Sequence, residues 1–492
     1  MNIEKWIIEA DISSTQLAME SGDVRSEDIV RAYLERINKY NRKINAVLEI
    51  NPEAIEIAIN LDKERQEKGS RGLLHGIPIL LKDNIDTHDK MHTSAGSIAL
   101  KDSIAPGDSV VASKLRAAGA VLLGKANMTE WANFMSNEMW AGYSSRGGLV
   151  LNPYGPGELF VGGSSSGPAV AVAANFAAAA VGTETSGSII SPASQNNIVG
   201  IKPTLGLISQ AGIIPLAHSQ DSAGPMTKTV KDTVILLSTL IEENEQSPHF
   251  SCTQTVKKCF DNYDELLDVE FLKQARIGIA RYYYQDLDEA RANIVEEAIQ
   301  VLKKAGATII DPVSMPCEKA QWDWDVLRYE FKSDLNAYLA RLSEDVPVRS
   351  LEEVIAYNEK YAEEALKYGQ GTLIWSNETS GTLKEKEYID SLNKSIELSR
   401  KQGIDHALNS YELDALMFLG DEGSDLAARA GYPIITVPGG YASSGIIAPG
   451  GYTTKGPQGI TFVGTAYSEP TLIKIAYGFE QATKHRVPPK ME

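Results

Sequence analysis

From Trp140 to Gly200 the chain carries only three charged residues, Arg146, Glu158 and Glu184, and is otherwise crowded with glycine, serine and alanine. Charged side chains are 23% of the whole sequence, so this window departs sharply from its surroundings. A stretch this poor in charge belongs in a buried bed rather than on a solvated face. It is where a functional site is expected.

The rest of the composition bounds the possibilities. A chain of 492 residues with 43% hydrophobic residues can bury a large core without disulfides or metals. Its net charge of −18 disfavours nucleic acid and anionic membranes as partners. Cys252, Cys259 and Cys317 match no zinc spacing and are too few for a disulfide framework, which fits a cytoplasmic protein. Glu4, Lys5, Glu9 and Asp11 leave no apolar signal core at the start, and no uncharged apolar run reaches membrane length.

Periodicity predicts an α/β layered chain. Helices are expected after Ser26, from Pro52 to Lys63, Ser109 to Ala118, Ala169 to Ala180, Val230 to Glu243, Asp288 to Ala305 and Pro470 to Ala482. Apolar runs at 76–84, 120–124, 276–280, 308–310, 415–419, 434–437 and 459–463 read as strands. Ser247 to Asp268 reads as a connector, and Gln321–Tyr368 and Leu383–Leu408 as long charged helices forming an outer layer or lid. One domain over 1–492 is expected, with helices in 1–70, a catalytic core in 71–240 and a helical insertion at about 315–410.

Three motifs tempt. Gly119 to Ala126 approaches a phosphate-binding loop, but Ala126 lacks the hydroxyl that holds magnesium and the central residues look like a strand. His88 and His92 have metal-ligand spacing without a third ligand. Gly163-Ser164-Ser165-Ser166-Gly167 formally matches a nucleophile elbow with Ser165 as nucleophile, yet no histidine is obviously placed to serve it.

A longer constellation absorbs the window. Gly162-Gly163-Ser164-Ser165-Ser166-Gly167 is followed by Gly182-Thr183-Glu184-Thr185-Ser186-Gly187-Ser188, then by Pro192-Ala193-Ser194 and Gly200-Ile201-Lys202-Pro203-Thr204. Upstream stands Gly76-Ile77-Pro78-Ile79-Leu80-Leu81-Lys82-Asp83-Asn84. Together these resemble the amidase signature family of serine hydrolases, over most of the chain. The resemblance implies a large mixed β-sheet covered by helices on both faces. It also implies a Ser–cis-Ser–Lys triad: Ser188 as nucleophile, Ser164 as bridging serine after a cis bond to Gly163, and Lys82 as base. Backbone N–H groups of Thr185, Ser186 and Gly187 would face the oxyanion; neither cofactor nor metal is implied. The chemistry needs Lys82 neutral for part of the cycle, hence an amine well below its usual pKa, and a charge-poor surround favours that.

The sequence departs from the commonest family form. Glu184 and Ser186 take places where many members have Asp and Gly, and Ile190 and Ser191 stand where many carry an Arg. Neutral pocket walls favour an uncharged amide. With Gly431-Tyr432-Pro433 and Gly459-Ile460-Thr461-Phe462, the chain looks most like the peptide amidase branch, which acts on peptide C-terminal amides with no obligatory partner protein. Two other readings remain: the glutamine-hydrolysing component of a tRNA-dependent amidotransferase, and a non-catalytic binding protein on the same fold. Phe134, Trp140, Trp322 and Trp375 are candidate pocket residues, with core packing as the plainer role.

Overall fold

The computed structural model describes residues 2–242 and 250–491. In chain order its strands are β1 (Val47–Ile50), β2 (Pro78–Lys82), β3 (Val121–Ala126), β4 (Tyr143–Ser144), β5 (Gly148–Leu149), β6 (Ala179–Glu184), β7 (Val199–Lys202), β8 (Ser222–Thr227), β9 (Arg276–Ile279), β10 (Thr308–Ile310), β11 (Ala415–Leu419), β12 (Ile434–Ala442) and β13 (Gly456–Val463). β4 and β5 pair with each other, and the other eleven form one mixed sheet in the order β1-β3-β2-β6-β8-β7-β12-β13-β11-β9-β10. The triplets β3-β2-β6 and β11-β9-β10 are parallel; every other pairing is antiparallel. All residues of β2 and β6 are buried, as expected of parallel strands covered on both faces. This is the large helix-covered mixed sheet implied by the family resemblance.

The central strand β6 corrects the sequence reading. Alanine is the best helix former, so Ala169–Ala180 reads as one helix. The helix instead spans Ser166–Ala173, and Asn175 at φ 58° turns the chain back. Ala179 then pairs with Ile79 of β2, and Gly182 with Gly224 of β8. Space matters in β6 itself: a Cβ on Gly182 would lie 2.7 Å from Met226 Sδ and 2.9 Å from Ser165 Oγ. A small residue there lets the serine loop pack closely on the strand, and tertiary packing overrides propensity.

Other boundaries shift for local reasons. Phe250–Phe260 is a helix where a connector is predicted; residues 247–249 of that connector lie outside the described residues, as does Glu243, while the preceding helix spans Val230–Leu240. The first long lid helix, expected over Gln321–Tyr368, is broken into Asp325–Leu339, Leu351–Lys360 and Ala362–Ala365, and a further helix, Gly371–Asn377, follows beyond it. Pro347 has no N–H to continue a helix, and Ser350 caps the next one at the Glu353 N–H. The second begins at Lys386 and continues through a π-helical segment at Glu397–Ile404 to Ser410.

A satellite apolar cluster holds the insertion on the sheet domain. Phe331, Leu335 and Leu339 pack against Met128, Trp131 and Met135. The Phe331 ring meets Phe134 and Trp131 edge-on, at centroid distances of 5.1 and 6.5 Å. Tyr338 donates a 2.7 Å hydrogen bond to Asp86, just beyond β2, and Arg341 pairs with the same carboxylate. Phe331→Ala is expected to cost about 3–5 kcal/mol, read as a lower urea midpoint, because its fully buried ring would leave a cavity.

Candidate active site

Lys82 ends β2, and its side chain is wholly buried. The parallel register that sets Leu81 against Val181 brings Lys82 beside Thr183 of β6. The Lys82 Nζ lies 2.8 Å from Ser164 Oγ, 2.8 Å from Thr183 Oγ1 and 3.0 Å from the Thr183 carbonyl. Burial lowers this amine to about 7, against the opposing pull of Asp221 and Glu184. Asn84 Nδ2 donates to Thr183 Oγ1 at 3.0 Å, holding the threonine that the lysine leans on.

Ser164 stands in the loop before the Ser166–Ala173 helix, and its peptide bond to Gly163 is cis. Thr129 N donates to the Ser164 carbonyl at 3.1 Å. The next residue, Ser165, donates its N–H to the carbonyl of Ser188 at 3.0 Å, which ties the two serine loops together.

The Ser188 loop leaves β6 and reverses at Gly187, whose φ of 75° a side chain would resist. Three carboxylates hold it. Glu184 accepts the N–H groups of Ile189 and Ile190 at 2.7 and 2.9 Å, with the Gly187 N–H also leaning on it. Burial raises the Glu184 carboxyl despite those donors and the Lys202 cation. Thr185 Oγ1 donates at 2.6 Å to Asp221, which also takes the Leu216 and Ala217 N–H groups; burial pushes Asp221 up to about 7. The hydroxyl of Ser186, one of the departures from the common family form, donates to Asp425. The other two charges of the poor window stand apart: Arg146 pairs with Glu49 and Asp83, and exposed Glu158 pairs with Lys455.

A cavity of about 600 Å³ opens over this loop. Gly163, Thr185, Ser186 and Ser188 line it from the sheet side. The insertion supplies Trp324, Leu327, Thr372 and Trp375, and the loop after β3 supplies Phe134. Lys82 and Ser164 are not in this lining, but Gly163, bonded to Ser164, is, and the Ser165 N–H binds the carbonyl of lining Ser188. Of the aromatic candidates, Phe134 and Trp375 line the cavity. Trp140 instead packs on Tyr368 and Tyr452, and Trp322 lies under Arg429. Trp324 carries no signal in the sequence because it immediately precedes a helix, where no periodicity marks a facing side.

The tempting motifs take ordinary places. Ser165 is fully buried, donating to the Thr183 carbonyl at 2.9 Å and accepting its N–H at 3.2 Å, so its hydroxyl serves the backbone of β6. Lys125 lies inside β3 and donates to Ile85 O and Thr93 Oγ1. His88 donates to the Ala105 carbonyl and His92 to Glu49, in separate environments. Among the described residues His218, Glu330 and Asp334 come within metal-holding distance. They lie outside the cavity lining as an ion-pair cluster: His218 Nδ1 donates to Asp334 at 2.8 Å, a bond that raises the imidazole to about 9.

Comparison with known proteins agrees with this geometry. The family model described as Amidase matches residues 28–473. A probable amidase of Arabidopsis thaliana is 42% identical over 500 aligned residues, covering 98% of this chain and 92% of its own. The native peptide amidase of Stenotrophomonas maltophilia is 38% identical, with a TM-score of 0.87 and 99% of each chain covered. A glutamyl-tRNA(Gln) amidotransferase chain of Alkaliphilus metalliredigens is 32% identical over 92% of each chain. Among the described residues no helix is long and apolar enough to cross a membrane. With its sheet, its paired serine loops and a match over most of its length, the chain belongs to the amidase family, whose members hydrolyse carbon–nitrogen bonds.

Proposed function

We propose that this amidase hydrolyses carboxamides, peptide C-terminal amides foremost and other amides whose reacting end is uncharged, through Ser188, Ser164 and Lys82, releasing ammonia. The observation that carries this reading is the buried 2.8 Å contact between Lys82 Nζ and Ser164 Oγ, with Gly163, bonded to Ser164, and Ser188 both lining the cavity. A neutral amine accepts the Ser164 proton while Ser164 accepts that of Ser188, since a hydroxyl can donate and accept at once. Ser188 Oγ bonds to the amide carbon, and the oxyanion takes N–H groups of Thr185, Ser186 and Gly187, the last shared with Glu184. The proton returns to the leaving nitrogen as the C–N bond breaks. Water then attacks the acyl-enzyme by the same relay, yielding the acid and free Ser188.

Aromatic and apolar cavity walls support a peptidic amide that brings no carboxylate, as does the likeness to a peptide amidase. Ile190 and Ser191, at the family's arginine places, bring no cation to the cavity. In this reading the single chain acts without a partner protein, nucleic acid or membrane. A cytoplasmic location accompanies it, supported by the free thiols of Cys252 and Cys259 at the surface. The purified chain is expected to release ammonia from a neutral dipeptide amide and to leave glutamine untouched. Ammonia from glutamine alone, appearing only when the other amidotransferase chains are added, would instead assign it to the amidotransferases.

A further inference from the structure

The cavity over Ser188 has one charged side chain among its lining residues, Asp425. Asp425 lies in the first turn of the Ser424–Ala430 helix, exposed to the cavity mouth, with one carboxylate oxygen taken by the Ser186 hydroxyl. A second acid flanks the same loop: Asp421 Oδ2 lies 3.8 Å from where a Cβ on Gly187 would stand. The nearby cations are held back from the cavity. Arg328 stacks on Trp375 at 4.8 Å and is bound by the Trp375 carbonyl and Glu378. Arg429 stacks on Trp324 at 5.0 Å and donates to Ser395 Oγ and the Asp323 carbonyl. Neither guanidinium lines the cavity, and although Arg429 acts on Asp425 through space, a charged substrate meets the carboxylate first.

We infer that Asp425 is a specificity-determining residue: it favours amides whose acyl portion carries an ammonium or guanidinium group, and it turns away those carrying a carboxylate. The uncharged remainder of the acyl group lies along Phe134, Leu327 and Trp375. This inference rests on the reading of the cavity as the amide site. A unit charge a few ångströms from a partly screened carboxylate changes affinity by about tenfold or more, and in opposite directions for the two signs. Added salt shrinks the difference.

The test uses three matched probes, the N-acetyl amides of lysine, norleucine and glutamate. Binding is measured by calorimetric competition on Ser188→Ala, and ammonia release on the wild type. Lysine amide is expected to exceed glutamate amide by about tenfold or more in both measurements at low salt, with norleucine amide between them. Adding Asp425→Asn keeps an acceptor for Ser186 and is expected to bring the two charged probes within about threefold of each other. Each ratio is taken within one variant, so a general loss of activity cancels. A ratio unchanged by Asp425→Asn, or no charge preference at all, overturns the inference. The two readings fail differently. Charge-selective binding without ammonia release removes the amide-hydrolysis reading and leaves the charge subsite standing; ammonia release at equal rates from all three does the reverse.

Discussion

Ser188→Ala is expected to lower kcat by on the order of 10⁴–10⁶-fold, the range seen when an attacking serine is removed and only binding and oxyanion stabilisation remain. The fold should survive, because the removed hydroxyl carries none of the contacts that hold the loop. Those are the Glu184 bonds to Ile189 and Ile190, the Asp221 bond from Thr185 and the Asp425 bond from Ser186. A fluorophosphonate probe should label wild type and leave Ser188→Ala unlabelled at an unchanged melting temperature. Ser165→Ala provides the control. Its hydroxyl serves the Thr183 backbone, so some stability is lost while labelling persists. Labelling that vanished in Ser165→Ala and persisted in Ser188→Ala would move the nucleophile to the elbow serine.

The second large effect concerns Lys82. A base must be unprotonated, and burial sets this amine at about 7. Single-turnover acylation is therefore expected to rise about tenfold per pH unit at acid pH and to level off above about 7. Lys82→Ala should abolish acylation near neutral pH; turnover left intact with only binding impaired would refute its role as base. Stability titrates in a different window. Between the ordinary lysine value of 10.5 and about 7, the unfolded chain binds a proton that the folded chain does not. Stability therefore falls as pH drops through that window and is flat below it, with a cost of about 5 kcal/mol at pH 7. Lys82→Met removes this cost but leaves Thr183 and Ser164 short of a partner, a loss of about 1–3 kcal/mol. The inactive Lys82→Met protein is thus expected to melt above wild type at pH 7 and to lose that advantage near pH 10.5. A lower melting temperature at both pH values would mean that the amine is not held near neutrality.

Much of this was legible in the chain because each site residue lies in a recognisable run. Lys82 follows a short apolar strand, and Ser164 and Ser188 lie in two Gly/Ser loops within the charge-poor window. The fold class followed from alternating helix and strand patterns. What failed was β6, where local preference and final geometry disagree: an alanine run became a strand because its pairing with β2 and β8 overrides alanine's helix preference, and at Gly182 a side chain would meet Met226 and Ser165. The carboxylates also escaped notice. Asp221 and Asp425 stand well after Ser188 in the chain, and only the folded sheet brings them to Thr185 and Ser186. Trp324 reaches the cavity from an insertion whose own packing, not its pattern, decides which side faces inward.

The strand order has a consequence for the growing polypeptide. β12 and β13, near the end of the sequence, fill the middle of the sheet between β7 and β11. The edge of β7 that receives β12 is made by residue 202, but its partner follows about 240 residues later. At ribosomal rates of about 5–20 residues per second, that edge stays open for roughly 12–50 seconds. During that interval a row of unsatisfied main-chain groups beside an apolar strand is free to pair with the wrong chain. The nascent protein should therefore depend on chaperones more than its finished form suggests, and slowing translation between residues 202 and 434 should lower the soluble yield without altering the activity of the molecules that complete the sheet.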